Sequence, residues 1–297
     1  MEYNPNWIAV DWGTSNLRAW VMDAQNRPQH ALESARGMGT LEPDQFEAAL
    51  MALIDPYLPI GLVTEVLCCG MVGARQGWAE AAYVAVPAAP PTAKTALRVP
   101  TSDPRISVSI IPGMMQKSPA DVMRGEETQI LGVLHDDPEF DGVICLPGTH
   151  TKWAHISAGE VVSFRTFMTG ETFALLSTRS VLRHSMAETD WDIRAFEDGL
   201  STGLTDPKRV AANLFSLRAT GLVDEASNLN AYSTLSGLLI GLELGGAKPY
   251  WLGQQVLIVG SGHQSEIYRH ALVKQGADAK ILSGDHITRL GLSQARA

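Results

Sequence analysis

The residues best suited to chemistry in this chain of 297 residues fall in two short segments of one design. The first reads Ile8-Ala9-Val10-Asp11-Trp12-Gly13-Thr14-Ser15-Asn16-Leu17-Arg18-Ala19-Trp20. The second reads Ile144-Cys145-Leu146-Pro147-Gly148-Thr149-His150-Thr151-Lys152-Trp153-Ala154-His155-Ile156. Each is an apolar strand, a Gly-Thr turn with hydroxyl neighbours, then a second strand. A tight glycine turn lets backbone N–H groups point at one anion, and Thr14, Ser15, Thr149 and Thr151 add donors. The chemistry this suits is phosphate binding, with Gly13 and Gly148 opening the two turns. Asp11, at a strand end, can hold Mg²⁺ directly or through water. Lys152 offers charge to a phosphate and His150 a polar contact. The plainer alternative is a pair of β-hairpins with a turn-capping aspartate, a solvated lysine and a polar loop histidine. Two such turns almost half a chain apart favour one polyphosphate gripped from both sides.

A third glycine turn follows the apolar run Val256-Leu257-Ile258-Val259 as Gly260-Ser261-Gly262. A strand entering a glycine turn and then a helix has the shape of a nucleotide contact, or of an ordinary strand–helix turn. Arg124-Gly125-Glu126-Glu127 opens another helix. The helix dipole favours an anionic side chain there, and a carboxylate can accept the proton of an attacking hydroxyl. Glu126 is the first choice for such a base, with Glu127 and Asp121 as alternatives; otherwise these are simply acids of a first helical turn. The loop from Cys69 to Trp78 is glycine-rich, so a polar ligand can approach its backbone at Gly70 and Met71. Arg75 can pair with a carboxylate and Trp78 can wall a pocket, with Arg124, Arg36 and Arg165 as further cations. A flexible hairpin with a surface arginine is the competing reading. His150, His155 and His263 lack Cys, His or acid partners at metal spacing. The Met-rich stretch 113–123 and the Leu-rich stretch 235–244 read as core.

These residues need a scaffold of alternating strands and helices. Apolar runs predict strands over 7–10, 17–22, 29–34, 63–69 and 106–111, with a helix over 44–54. Residues 85–104, with five prolines, read as an irregular connector. A helix over 126–134 precedes the second strand–turn–strand, and a strand over 161–167 comes after it. Residues 171–246 read as mostly helical. The end of the chain predicts a strand over 256–259, a helix over 264–275, a strand over 280–282 and a last helix capped by Asp285. The fold class is α/β. The expected domains are 1–120, completed by a C-terminal helix over 285–297, and 121–284. At 45% hydrophobic and 19% charged residues, a sizeable core is expected. A net charge of −9 argues against nucleic acid or an anionic membrane as partner. Cys68, Cys69 and Cys145 give neither a disulfide framework nor metal spacing, which suits the cytoplasm. The first residues lack a signal-peptide pattern, and no apolar run is long enough for a bilayer.

The three glycine turns, in this order, resemble those of the sugar kinase, actin and heat-shock chaperone superfamily. The resemblance spans essentially the whole chain. It implies a two-domain actin-like ATPase fold with ribonuclease H-like halves and a nucleotide cleft between the domains. The second hairpin lacks the Asp that actin-like members carry at the position of Leu146 or Pro147, which favours a small-molecule kinase. In kinases of the glycerol kinase type a Gly-Asp at the start of a similar helix supplies the base, and Glu126 takes that place. The segments Asp11-Trp12-Gly13-Thr14, Gly70-Met71-Val72-Gly73, residues 118–127, Leu146 to Trp153, and Phe167-Met168-Thr169-Gly170-Glu171 are together similar to the 2-dehydro-3-deoxygalactonokinase family. That resemblance implies transfer of the ATP γ-phosphoryl group to the 6-hydroxyl of 2-dehydro-3-deoxy-D-galactonate, with Mg²⁺. The implied partners are ATP and a sugar acid, with a homodimer left open. A non-catalytic ATP-binding regulator and a phosphohydrolase of the same superfamily are the alternatives.

Overall fold

A computed structural model describes residues 6–186, 191–223 and 230–297. The chain separates into two compact units. The first comprises Met1–Asp141, Ile156–Ser163 and Ser283–Ala297; the second comprises Gly142–His155 and Phe164–Leu282.

The first unit is built on β1 (Trp7–Trp12), β2 (Leu17–Met22), β3 (Pro28–Ser34), α1 (Phe46–Ile54), β4 (Thr64–Gly70), β5 (Tyr83–Ala85), β6 (Leu97–Val99), β7 (Ile106–Ile110), β8 (Gly113–Lys117), β9 (Ala120–Met123) and α2 (Glu126–Asp136). Its six-stranded sheet runs β3-β2-β1-β4-β7-β6. β1 pairs antiparallel with β2 and parallel with β4. Alternation along β1 sends Ile8, Val10 and Trp12 to one core, with α1, and Trp7 and Ala9 to the other. A three-stranded sheet, β5-β8-β9, lies in this unit as well. The expected boundary at 120/121 falls instead inside this β8–β9 hairpin. The division falls after Asp141, so 121–141 belongs with the first unit and not with the second as expected.

In the second unit, β10 (Gly142–Leu146), β11 (Thr151–Ser157) and β12 (Glu160–Phe167) are followed by α3 (Thr169–Thr178), α4 (Ile193–Thr205), α5 (Val210–Val223), α6 (Ala231–Gly246) and α7 (Lys248–Trp251). β13 (Gln255–Gly260), α8 (Gly262–Lys274) and β14 (Asp278–Ser283) complete it. The hairpin tip 156–163 is counted with the first unit. The expectation of a helical 171–246 holds at α3 to α6, while 187–190 and 224–229 lie outside the described residues. The sheet order β12-β11-β10-β13-β14 repeats the β3-β2-β1-β4-β7 order of the first unit. In both, the first strand of the unit pairs parallel with the fourth strand of that order. Val143, Cys145, Val256 and Ile258 pack with Phe196, Leu200 and Ile240 in this unit's core.

The last helix, α9 (Gly284–Arg296), belongs to the first unit. Ser283, not Asp285, is its N-cap; Asp285 stands in the first turn and pairs with Arg18. α9 crosses α2 so closely that a Cβ on Gly291 would lie 1.9 Å from the Thr128 carbonyl oxygen. Gln129 Nε2 also donates to Thr288 Oγ1 at 3.0 Å. Among the described residues no helix is long and apolar enough to cross a membrane, and all three cysteines are free and buried.

Candidate active site

In the first unit, two glycines let three chain segments meet. Gly70, at the end of β4, has φ +91°, and Gly125, just before α2, has φ +107°. An L side chain is strained at either angle. A Cβ on Gly70 would lie 2.7 Å from the Trp12 carbonyl oxygen and 3.3 Å from Asp11 Oδ1. A Cβ on Gly125 would lie 3.1 Å from Gly70 Cα. The end of β1, the end of β4 and the start of α2 therefore converge, and they carry Asp11, Gly70 and Glu126.

The acids at this point differ in access. Glu126 is half-buried, with Oε2 accepting from the Arg124 N–H at 3.0 Å. Glu127 is fully buried and accepts from the Gly125 N–H at 2.8 and 2.7 Å. Burial, with the Glu126 charge adding, pushes the Glu127 carboxyl up to about 8. Asp121 sits on β9 and accepts from the Val122 N–H at 2.8 Å. Asp11 is paired with Arg18, which also pairs with Asp285, and the Cys69 thiol lies 3.9 Å from Asp11 Oδ1. Of the two ways Asp11 was expected to hold Mg²⁺, directly or through water, the guanidinium on Oδ2 does not fit a direct bond at that oxygen. Among the described residues no group of three or more His, Cys, Asp or Glu is placed to hold a metal.

The expected substrate loop separates into different roles. Gly70 lies at the convergence, and Met71 enters a short 3₁₀ turn, Met71–Gly73. Arg75 points outward, its side chain 79% exposed, with Nε 3.5 Å from Glu80. Trp78 packs on Phe46 and Trp12 at centroid distances of 6.3 and 6.2 Å. It is half-buried on the flank of the core. Arg124 is only 7% exposed. Its Nη2 donates to the Ala81 carbonyl at 2.7 Å and its guanidinium lies 4.3 Å over the Tyr83 ring, while Nε and Nη1 have no hydrogen-bond partner among the described residues. Arg36 is exposed here, and Arg165 is exposed in the second unit. In the turn Gly13-Thr14-Ser15, Thr14 and Ser15 are exposed, and the Met38 and Gly39 N–H groups donate to the Gly13 and Thr14 carbonyls at 2.9 Å.

The second unit holds a cavity of ≈ 480 Å³ whose rim includes Gly148 and Thr149. Its walls carry two edge-on ring pairs, Phe173 with Tyr232 at 4.9 Å and Trp191 with His263 at 4.5 Å. Leu239, Ile240 and Ile267 add apolar surface, so the Leu-rich stretch expected to be core alone also lines a cavity. The β10–β11 turn is fixed by α3: a Cβ on Gly170 would lie 2.3 Å from the Gly148 carbonyl oxygen, and the Glu171 N–H donates to the Thr149 carbonyl at 2.9 Å. Thr149 and His150 are exposed at the tip, and His150 Nε2 lies 2.6 Å from Glu171 Oε2. Thr151 is buried, Oγ1 2.9 Å from the Tyr268 hydroxyl. Lys152 is also buried, with Nζ donating to the His150 carbonyl at 3.5 Å. Gly260-Ser261-Gly262 leads into α8 without lining the cavity; His263 and Gln264, immediately after it, do line it.

Several contributors escaped the sequence reading: Arg18 and Asp285, the ring pairs of the cavity, and Glu243. Glu243 had a visible signal, being the sole charge in the apolar run 235–244. The ring pairs had none, because their members come from four separate segments.

Residues 11–295 match the family model described as 2-keto-3-deoxy-galactonokinase. A Rhizobium meliloti (strain 1021) protein named as a probable 2-dehydro-3-deoxygalactonokinase is 38% identical, covering 97% of this chain and 96% of its own. The 2-dehydro-3-deoxygalactonokinase of Escherichia coli (strain K12) is 32% identical, covering 96% of each chain. A Sinorhizobium meliloti crystal structure, given the same activity with the same qualification, superposes with a TM-score of 0.90 at 38% identity, over 97% of this chain and 95% of that one. At the level of fold alone, the Clostridium difficile activator of 2-hydroxyisocaproyl-CoA dehydratase, solved with ADPNP, aligns at TM-score 0.53 and 12% identity, over 97% and 92% of the chains. The fold is that of the actin-like ATPases and sugar kinases, and the chain belongs to the 2-keto-3-deoxy-galactonokinase family.

Proposed function

We propose that this carbohydrate kinase moves the γ-phosphoryl group of ATP to the 6-hydroxyl of 2-dehydro-3-deoxy-D-galactonate, in galactonate breakdown. The observation that carries the reading is Glu126: the carboxylate that opens α2, partly solvent-reaching while its neighbour Glu127 is fully buried. A sugar hydroxyl is a weak nucleophile, and phosphoryl transfer depends on positioning and charge stabilisation. In the proposed step the hydroxyl oxygen bonds to the γ-phosphorus, its proton passes to the Glu126 carboxylate, and the β–γ bridging oxygen leaves with ADP.

The nucleotide is assigned to the second unit. Its base takes the aromatic cavity, and its phosphates take the 148–152 turn, with Gly260-Ser261-Gly262 at the start of α8 as a further contact. Gly13, Thr14 and Ser15 are assigned to phosphate as well. The acceptor's carboxylate is assigned to Arg124 in preference to Arg75. A buried donor without a partner costs about 1–3 kcal/mol, and a carboxylate relieves that cost when it binds. Mg²⁺ supplies charge neutralisation when bound. With Asp11 committed to Arg18, Mg²⁺ is assigned to the ATP phosphates and water, which suits an ion that keeps several waters.

A coupled ADP-release screen over 2-keto-3-deoxy sugar acids, with the phosphate position read by NMR, tests this. The proposal expects release dependent on 2-dehydro-3-deoxy-D-galactonate and a 6-phosphate. ADP release equal with and without any sugar acid contradicts it and points to a phosphohydrolase; nucleotide binding with no release points to a regulator.

A further inference from the structure

Glu243 is 2% exposed on α6, among apolar neighbours. Its carboxylate collects neutral donors from separate elements. Trp153 Nε1 on β11 donates to Oε1 at 2.8 Å, and the Tyr268 hydroxyl on α8 donates to Oε2 at 2.8 Å. The Thr169 side chain at the start of α3 hydrogen-bonds to it too. Tyr268 donates its single proton to Glu243, and Thr151 Oγ1, 2.9 Å from the Tyr268 hydroxyl, hydrogen-bonds the Glu243 carboxylate as well. Thr151, Tyr268 and Glu243 thus form one chain of hydrogen bonds.

Three of the groups bonded to Glu243 lie at the nucleotide half-site. Thr151 ends the 148–151 turn, while Tyr268 and Thr169 line the cavity. Resting on the assignment of ATP to this half-site, we propose that Glu243 is its positioning residue, holding the phosphate turn and two cavity walls in one geometry through Tyr268, Thr151, Thr169 and Trp153. A plain structural link among four elements does not require a charge in an apolar interior, where an ionised group is costly. A carboxylate instead fixes the direction of every donor around it.

The test compares AMP-PNP affinity, KM for ATP, KM for the sugar acid and thermal stability in the full-length wild type, Glu243→Gln and Tyr268→Phe. Glu243→Gln keeps the volume and the acceptor for Trp153, but its amide nitrogen donates toward Tyr268 and reverses that bond. The expected result is an AMP-PNP Kd and a KM for ATP raised roughly tenfold in Glu243→Gln, with the sugar-acid KM held within about twofold. Tyr268→Phe, which removes only the hydroxyl, should reproduce that split. It decides the matter if Glu243→Gln does not fold. Wild-type nucleotide affinity in folded variants overturns the proposal, as does a loss of thermal stability with nucleotide affinity intact. If the wild type itself binds no AMP-PNP, the functional reading fails and this proposal fails with it; if the wild type binds and the variants bind equally, only this proposal fails.

Discussion

The two units build their candidate sites from different materials. In the first, backbone crowding at Gly70 and Gly125 gathers charge: Asp11, Arg18, Arg124, Glu126 and Glu127 all lie at or next to the junction of β1, β4 and α2. In the second, an aromatic cavity of ≈ 480 Å³ opens beside a Gly-Thr turn, and its buried acid is served by neutral donors. Acid–base work needs a carboxylate held in place with charge around it, and a purine base needs apolar area with few polar contacts. The contrast teaches that sheets of one strand order, repeated within a chain, support different chemistry through the turns and helices attached to their strand ends.

Changes to each half should therefore give different kinetic signatures. The largest effect is expected from Glu126→Gln, which preserves shape and removes the basic oxygen. Steady-state kcat should fall by about 10²–10⁴, with KM for ATP near wild type. If Asp121→Asn or Glu127→Gln gives that fall and Glu126→Gln does not, the base is reassigned. Next in size, Trp191→Ala opens one wall of the cavity. KM for ATP should rise roughly tenfold while the sugar-acid KM stays put, since a stacked aromatic contributes about 0.5–1.5 kcal/mol beyond its buried area. A smaller split of the opposite kind is expected in the first unit: Arg124→Lys should raise the sugar-acid KM several-fold, and Arg75→Ala should leave it nearly unchanged. Equal effects of Arg124→Lys on both substrates would instead mark a folding role.

The sequence carried the local pieces well and the assembled ones poorly. Apolar runs bounded by glycine placed β1, β2, β4, β10, β11 and β13 within a few residues, because strand and turn signals are local. The β8–β9 hairpin was missed because Pro112-Gly113 reads as an ending, although Gly113 opens the next strand. The place of Glu126 at the start of α2 was legible from the Gly125 before it. The burial that separates Glu126 from Glu127 was not, because α9 covers α2 from the far end of the chain. Trp78 and Arg75 were read as ligand contacts from their place in a glycine-rich strand-end loop; that Trp78 packs on Phe46 and Trp12 while Arg75 faces solvent depends on tertiary packing, which no local pattern carries.

The smallest effect is a pH slope that distinguishes the two halves by their buried acids. Burial raises Glu127 from 4.5 to about 8 and Glu243 from 4.5 to about 7. An acid raised in the folded state binds more protons folded than unfolded. Its contribution is fully present below the unfolded value and is lost as pH rises through the folded one. Thermal stability should decline from pH 5 to pH 8, with each glutamate's share on the order of a few kcal/mol at most. Calorimetry should show a shallower decline in Glu127→Gln across pH 5–8 and in Glu243→Gln across pH 5–7. Identical slopes in both variants and the wild type would contradict the burial argument.

The division of labour between the units is tested most directly by hydrogen exchange with AMP-PNP and the sugar acid added separately. The account predicts that AMP-PNP slows exchange mainly around 148–152, 169–174 and 263–268, and that the sugar acid slows it around 70–73 and 124–127. AMP-PNP protection confined to 70–73 and 124–127, with the cavity segments unchanged, would contradict it.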